Sequence, residues 1–223
     1  MRLKICSAVL LLFLQYGAIA QLTDDTLQAR IILIGDAGEF NSRGQHPVIH
    51  SVKQHYTFDK KTTVLYLGDN LYRAGLPDEQ NFNYSKVRAV LDTQVNIARG
   101  SGAKVYFIPG NHDWAEYGPD GWTAVKRQQY YIEYLGDNNV TFYPGDGCPG
   151  PVLVNVTPEV VMILMDSQWW VQKFEKPGIE SDCDFKTKEQ VLSELNNLLN
   201  ENSKKLVIIA MHHPMRSYGI HGE

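Results

Sequence analysis

The chain has 223 residues, and a composition of 43% hydrophobic and 21% charged residues supplies one sizeable core, which argues against a disordered polypeptide. A formal charge of −4 argues against nucleic acid as a partner, because a phosphate backbone selects basic surfaces. Only three cysteines occur, with no pair at metal-site spacing, so a thiolate-based structural metal site is disfavoured.

The first element is a leader. Arg2 and Lys4 precede the apolar run Ile5 to Leu14, and Ala18-Ile19-Ala20 offers small residues for cleavage before Gln21. Residues 1–20 therefore read as a secretory signal peptide. An uncleaved anchor is the alternative, but the run is about half of the ~20 residues that a spanning helix needs. Cleavage would remove two bases and no acids, shifting the charge from −4 to −6. It would also remove Cys6 and leave Cys148 and Cys183 in an oxidising compartment, as one disulfide or as two free thiols. Export and no stable membrane span follow as expectations.

Residues 21–28 read as a short linker and 29–223 as one domain. "ARIILIG" from Ala29, a helical stretch from Pro47 to His55, "TTVLYLG" from Thr62, a helical stretch from Tyr84 to Ala98 and "AKVYFIPG" from Ala103 give a β-α-β-α-β order. That order predicts an α/β fold with a largely parallel, helix-covered sheet. A helix follows near Trp122 to Tyr134. Beyond it, "VTFYP", "PVLVNV" and "EVVMILMDS" are short strands between Gly and Pro turns, expected to form a second sheet joined by hairpins. Lys188 to Asn200 carries a helical apolar stripe and leads into the last apolar run, "KLVIIAMHHP".

Four of these apolar runs end in polar residues: Gly35-Asp36-Ala37-Gly38, Gly68-Asp69-Asn70, Gly110-Asn111-His112-Asp113 and Met211-His212-His213-Pro214. In an open α/β sheet the carboxyl ends of parallel strands face one crevice, where ligands bind. A single Asp there is usually a turn former, and a single His usually a surface or hydrogen-bonded core residue. Four such ends delivering carboxylates, amides and imidazoles to one rim point instead to a metal centre of hard oxygen and nitrogen ligands. Two ions sharing a bridging carboxylate can clamp a phosphate and activate water.

"GDAG", "GDNLY", "GNHD" and "MHHP", in this order, resemble the calcineurin-like metallophosphoesterases. Asp36-Ala37-Gly38 and the Tyr three residues after Asp69 resemble the purple acid phosphatase and tartrate-resistant acid phosphatase-like branch. The resemblance implies a four-layer α/β/β/α sandwich and a small phosphorylated substrate hydrolysed by metal-bound hydroxide. It implies two metal ions, iron paired with iron, zinc or manganese. Asp36 and Tyr72 would bind the first, Asn111 and His212 the second, and Asp69 would bridge them. His112 would act on the substrate, with Asp113 holding its ring. Asn70, His213, His221 and Trp114 would line the substrate rim. Monoester hydrolysis is the leading expectation, with a phosphodiesterase or nucleotide hydrolase as the alternative. The family also has a Gly-His-x-His motif, which this sequence lacks. Its absence leads to two further expectations: that these residues are an N-terminal portion with an incomplete second sheet, or that the chain is a non-catalytic binding module.

Overall fold

The computed structural model describes residues 27–218. The expected signal peptide, most of the linker and His221 lie outside the described residues. The chain runs β1 (Arg30–Ile34), α1 (Pro47–His55), β2 (Thr62–Tyr66), α2 (Tyr84–Val95), β3 (Lys104–Phe107), α3 (Gly121–Leu135) and β4 (Val140–Phe142). Next come β5 (Val152–Thr157), β6 (Val160–Leu164), α4 (Ser167–Val171), α5 (Lys188–Glu201) and β7 (Leu206–Ala210).

β1 to β4 form a parallel sheet in sequential order. Right-handed crossovers in a sequential parallel sheet place all the connecting helices on one face. That face carries the largest core, in which Val64, Tyr66 and Phe107 pack with Ile49 of α1, Leu91 of α2 and Val125 of α3. The alternate residues Leu65 and Ile108 point the other way. They meet Met162 and Leu164 of a second sheet, ordered β5-β6-β7. Ile163 leaves the far side of that sheet to pack against Val191 and Leu198 of α5. The layers are therefore α/β/β/α, as the resemblance implies.

Two expectations about the second sheet are corrected. "VTFYP" does not belong to it, because β4 pairs in parallel with β3, Val105 opposite Val140. Hairpins do not join the sheet throughout either: β5 and β6 are antiparallel across a two-residue link, but β6 and β7 are parallel, with α4 and α5 in the crossover.

Candidate metal centre

The site lies where the carboxyl ends of β1, β2, β3 and β7 converge. Three of these ends belong to the first sheet, and the fourth, which carries His212, belongs to the second. The crossing is tight. Gly68 has φ +92°, and a Cβ there would lie 2.7 Å from Gly110 N and 2.8 Å from His212 Nδ1, so no other residue fits.

Asp69 occupies the middle, buried, with φ +51°. Its Oδ1 accepts the His112 backbone N–H at 3.0 Å and lies 3.4 Å from His212 Nε2. At one end the Tyr72 hydroxyl donates to Asp36 Oδ1 at 3.1 Å. Burial, followed by the negative charges of Asp69 and Asp36, pushes the Tyr72 phenol above its ordinary value. At the other end His212 Nε2 is 3.1 Å from Asn111 Oδ1.

The His212 ring is oriented through Nδ1, which is 2.9 Å from the Leu67 carbonyl. A carbonyl can only accept, so Nδ1 carries the proton and Nε2 of a neutral ring presents a lone pair. That lone pair then faces the Asn111 amide oxygen and the Asp69 carboxylate, three acceptors converging with only the His112 backbone N–H donating to one of them. Ligand atoms of Asp36, Asp69 and His212 all lie within 4.8 Å of one another. Such a convergence of acceptors fits a cation, and the mix of carboxylate, amide oxygen and imidazole suits a first-row divalent or trivalent ion.

His112 points its Nε2 at Asp69 Oδ2, 3.9 Å away, and its ring stands edge-on to Tyr72 with centroids 4.6 Å apart. Asp113 does not hold this ring, contrary to expectation, because His112 Nδ1 donates to the Arg73 carbonyl at 2.5 Å. The Asp113 carboxylate is fully buried and instead ties two loops together. It accepts from Gly110 N at 2.8 Å, Asn70 N at 3.2 Å, Asn70 Nδ2 at 3.1 Å and Leu71 N at 3.1 Å. Burial, with the charge of Asp69 adding to it, still lifts its pKa to about 6.

Two expected rim residues are also interior. Asn70 is buried, with Nδ2 donating to the Ile108 carbonyl at 2.9 Å. Trp114 is fully buried, and its Nε1 donates to Asp166 Oδ2 at 2.8 Å. His213 is half-buried beside His212, with ring centroids 5.0 Å apart, and its Nδ1 is 2.9 Å from Ser167 Oγ. Burial, then the neighbouring His212, lowers its pKa.

Sequence reading missed the supports behind these side chains. Gln94 of α2 donates to the carbonyls of Ala37 and Asn70, both at 2.9 Å, and His46 Nε2 contacts the Ala37 carbonyl at 2.6 Å. The signal for Gln94 is a polar residue between Leu91 and Val95 in the buried stripe of α2. The Leu67 and Arg73 carbonyls have no signal at all, since any residue offers one.

No similar protein is found among curated proteins. The family model for calcineurin-like phosphoesterase matches residues 29–223, the whole of the chain beyond its first 28 residues. The match covers all four strand ends, so the chain belongs to the calcineurin-like phosphoesterase family, a family of metal-dependent phosphoric ester hydrolases.

Proposed function

We propose that this chain is an exported, acid-phosphatase-like hydrolase of phosphate monoesters, of the purple acid phosphatase branch, working through two metal ions. The observation that carries this reading is the position of Asp69 between the Tyr72–Asp36 pair and the Asn111–His212 pair. Asp36 and Tyr72 would hold one ion, Asn111 and His212 the other, and Asp69 both. When bound, the ions supply a Lewis acid for the phosphoryl oxygens and acidify the attacking water.

His112 supplies the proton. With Nδ1–H donating to the Arg73 carbonyl, the proton that a charged ring can release sits on Nε2, on the side facing Asp69. Transfer from that nitrogen to the departing oxygen is the kind of step worth ~10²- to 10⁴-fold. Asp113 acts one step back, fixing the loops that carry Asn111 and Asp69. Export is supported by the Arg2, Lys4 and Ile5 to Leu14 pattern, and also by the Cys148–Cys183 disulfide, which suits an oxidising compartment.

Metal content and ester preference of the protein, isolated from an exporting host, provide the test. The expected result is two equivalents of metal, p-nitrophenyl phosphate hydrolysed at least tenfold better than its bis-ester, and a visible band in the ferric protein that Tyr72→Phe removes. A single equivalent of metal or a preference for the bis-ester overturns the reading. A band that survives Tyr72→Phe excludes the purple acid phosphatase branch.

A further inference from the structure

The loops that carry Asp36 and Asp69 meet through two backbone hydrogen bonds. The Asp36 N–H donates to the Gly68 carbonyl at 3.2 Å, and the Tyr72 N–H donates to the Gly38 carbonyl at 3.1 Å. Both aspartates take the left-handed backbone conformation, with φ +53° and +51°, which residues other than glycine rarely adopt unless their surroundings hold them there. The residues that follow them, Ala37 and Asn70, are buried. Their carbonyls therefore need donors from within the protein.

One side chain serves both carbonyls. Gln94, fully buried, donates from Nε2 to Ala37 and to Asn70, each at 2.9 Å. A carbonyl only accepts, so the amide nitrogen must face the loops, and the amide oxygen is left buried without a partner. Packing alone would favour an apolar residue at this place in the buried stripe of α2, beside Leu91 and Val95, because an unpaired buried oxygen is costly. The residue is itself anchored, since the Tyr66 hydroxyl donates to the Gln94 carbonyl at 3.2 Å. His46 Nε2 is a second donor to Ala37, at 2.6 Å, but among the described residues Gln94 alone donates to the Asn70 carbonyl. Asn70 is thus gripped at both ends, its N–H by Asp113 and its carbonyl by Gln94.

We propose that Gln94 is a positioning residue of the metal centre. By joining the residues after Asp36 and Asp69 through a single amide nitrogen, it fixes the spacing of the two carboxylates before an ion arrives. Ligand atoms of both, with one of His212, lie within 4.8 Å of one another. Two carboxylates at that separation repel each other, and without the clamp each loop is free to move its aspartate away from the other. Cation binding would then have to overcome that repulsion and order the loops, so affinity falls. This inference rests on the reading that Asp36 and Asp69 share an ion, and it concerns how the protein holds them rather than which ester is cleaved.

The test is calorimetric titration of the metal-free full chain with Zn²⁺, for the wild type, Gln94→Met, Gln94→Asn and Leu91→Ala, beside urea denaturation of each. Gln94→Met nearly keeps the volume and removes both donors. Gln94→Asn keeps the amide but withdraws it by one methylene, and Leu91→Ala weakens the same helix without removing a donor from either carbonyl. Both Gln94 variants should lower Zn²⁺ affinity by about ten- to a hundredfold, the range for a residue that orients metal ligands. Leu91→Ala should lower the urea midpoint and leave the affinity of the folded protein unchanged. Should Gln94→Met fail to fold, Gln94→Asn gives the same reading. Wild-type affinity in a folded Gln94 variant overturns the proposal while the metal centre stands. An equal loss in Leu91→Ala also overturns it, because affinity would then follow the stability of the helix and not the amide. A wild type that takes up no Zn²⁺ overturns both the proposal and the metal-centre reading.

Discussion

Asp113 and Asp166 are both fully buried carboxylates near the site, and they show how the number of donors sets the cost of a buried charge. Asp113 collects four N–H donors and its pKa rises to about 6. Asp166 caps α4 by accepting from Trp169 N at 3.1 Å and also accepts Trp114 Nε1–H at 2.8 Å. Burial outweighs those bonds and raises its pKa to about 7. An acid whose folded pKa lies above its unfolded value of ~3.9 binds protons more tightly when folded. Its contribution to stability is complete below about pH 4 and is lost as pH rises to about 7. Urea midpoints of wild type and Asp166→Asn, compared between pH 4.5 and 7.5, should therefore converge or cross as the wild type loses ground. Parallel curves would show that Asp166 is ionised throughout. The two residues also mark the limit of sequence reading. "GNHDW" identifies Asp113 and Trp114 as part of the site segment, but the partners that make them interior, Asn70 and Asp166, lie 43 and 52 residues away.

At the scale of elements, local pattern served wherever a local rule governs. α1 matches its expected span, and α5 begins one residue after Thr187, whose side chain accepts from Gln190 N at 3.2 Å while Gln190 Oε1 accepts from Thr187 N at 3.2 Å. This reciprocal cap satisfies donors that the first helical turn leaves open. Thr187→Ala should cost about 1 kcal/mol in chemical denaturation, and a change of only a few tenths would assign the start of α5 to tertiary packing. The failures lie where no local rule operates. β4 has three residues, too few to display a period, and nothing in Val140-Thr141-Phe142 records whether it joins β3 or the following hairpin. β7 was legible as a strand, but its sheet was not, because pairing with β6 is decided by the α4–α5 crossover rather than by its own residues. The polar ends of β1, β2, β3 and β7 were correctly grouped, since an apolar run that stops at Asp, Asn or His marks a rim whichever sheet carries it.

The whole molecule depends on two sheets keeping register at one end, because the first sheet carries Asp36, Asp69, Tyr72 and Asn111 while the second brings His212. The Cys148–Cys183 disulfide, with Cα atoms 5.7 Å apart, bears on that register. Cys148 follows the 3-10 turn Gly145–Gly147 in the passage from β4 of one sheet to β5 of the other, and Cys183 lies between α4 and α5 on the outer layer. The bond thus ties the crossover between sheets to the helical layer over the second sheet. Closing a loop between residues 35 apart restricts the unfolded chain by roughly 3 to 4 kcal/mol in the chain-entropy treatment. Reduction, or Cys183→Ser, should lower the unfolding free energy by about that amount. The disulfide lines a small cleft with Pro144, Asp146, Asp182 and Phe185, and none of Asp36, Asp69 and His212 lines that cleft, so metal affinity of the folded reduced protein should change far less than its stability. Denaturation with and without reductant, beside a metal titration of both forms, separates the two effects. If affinity falls in step with stability, the bond is holding His212 against the first sheet, and the docking of the two sheets is itself part of the metal centre.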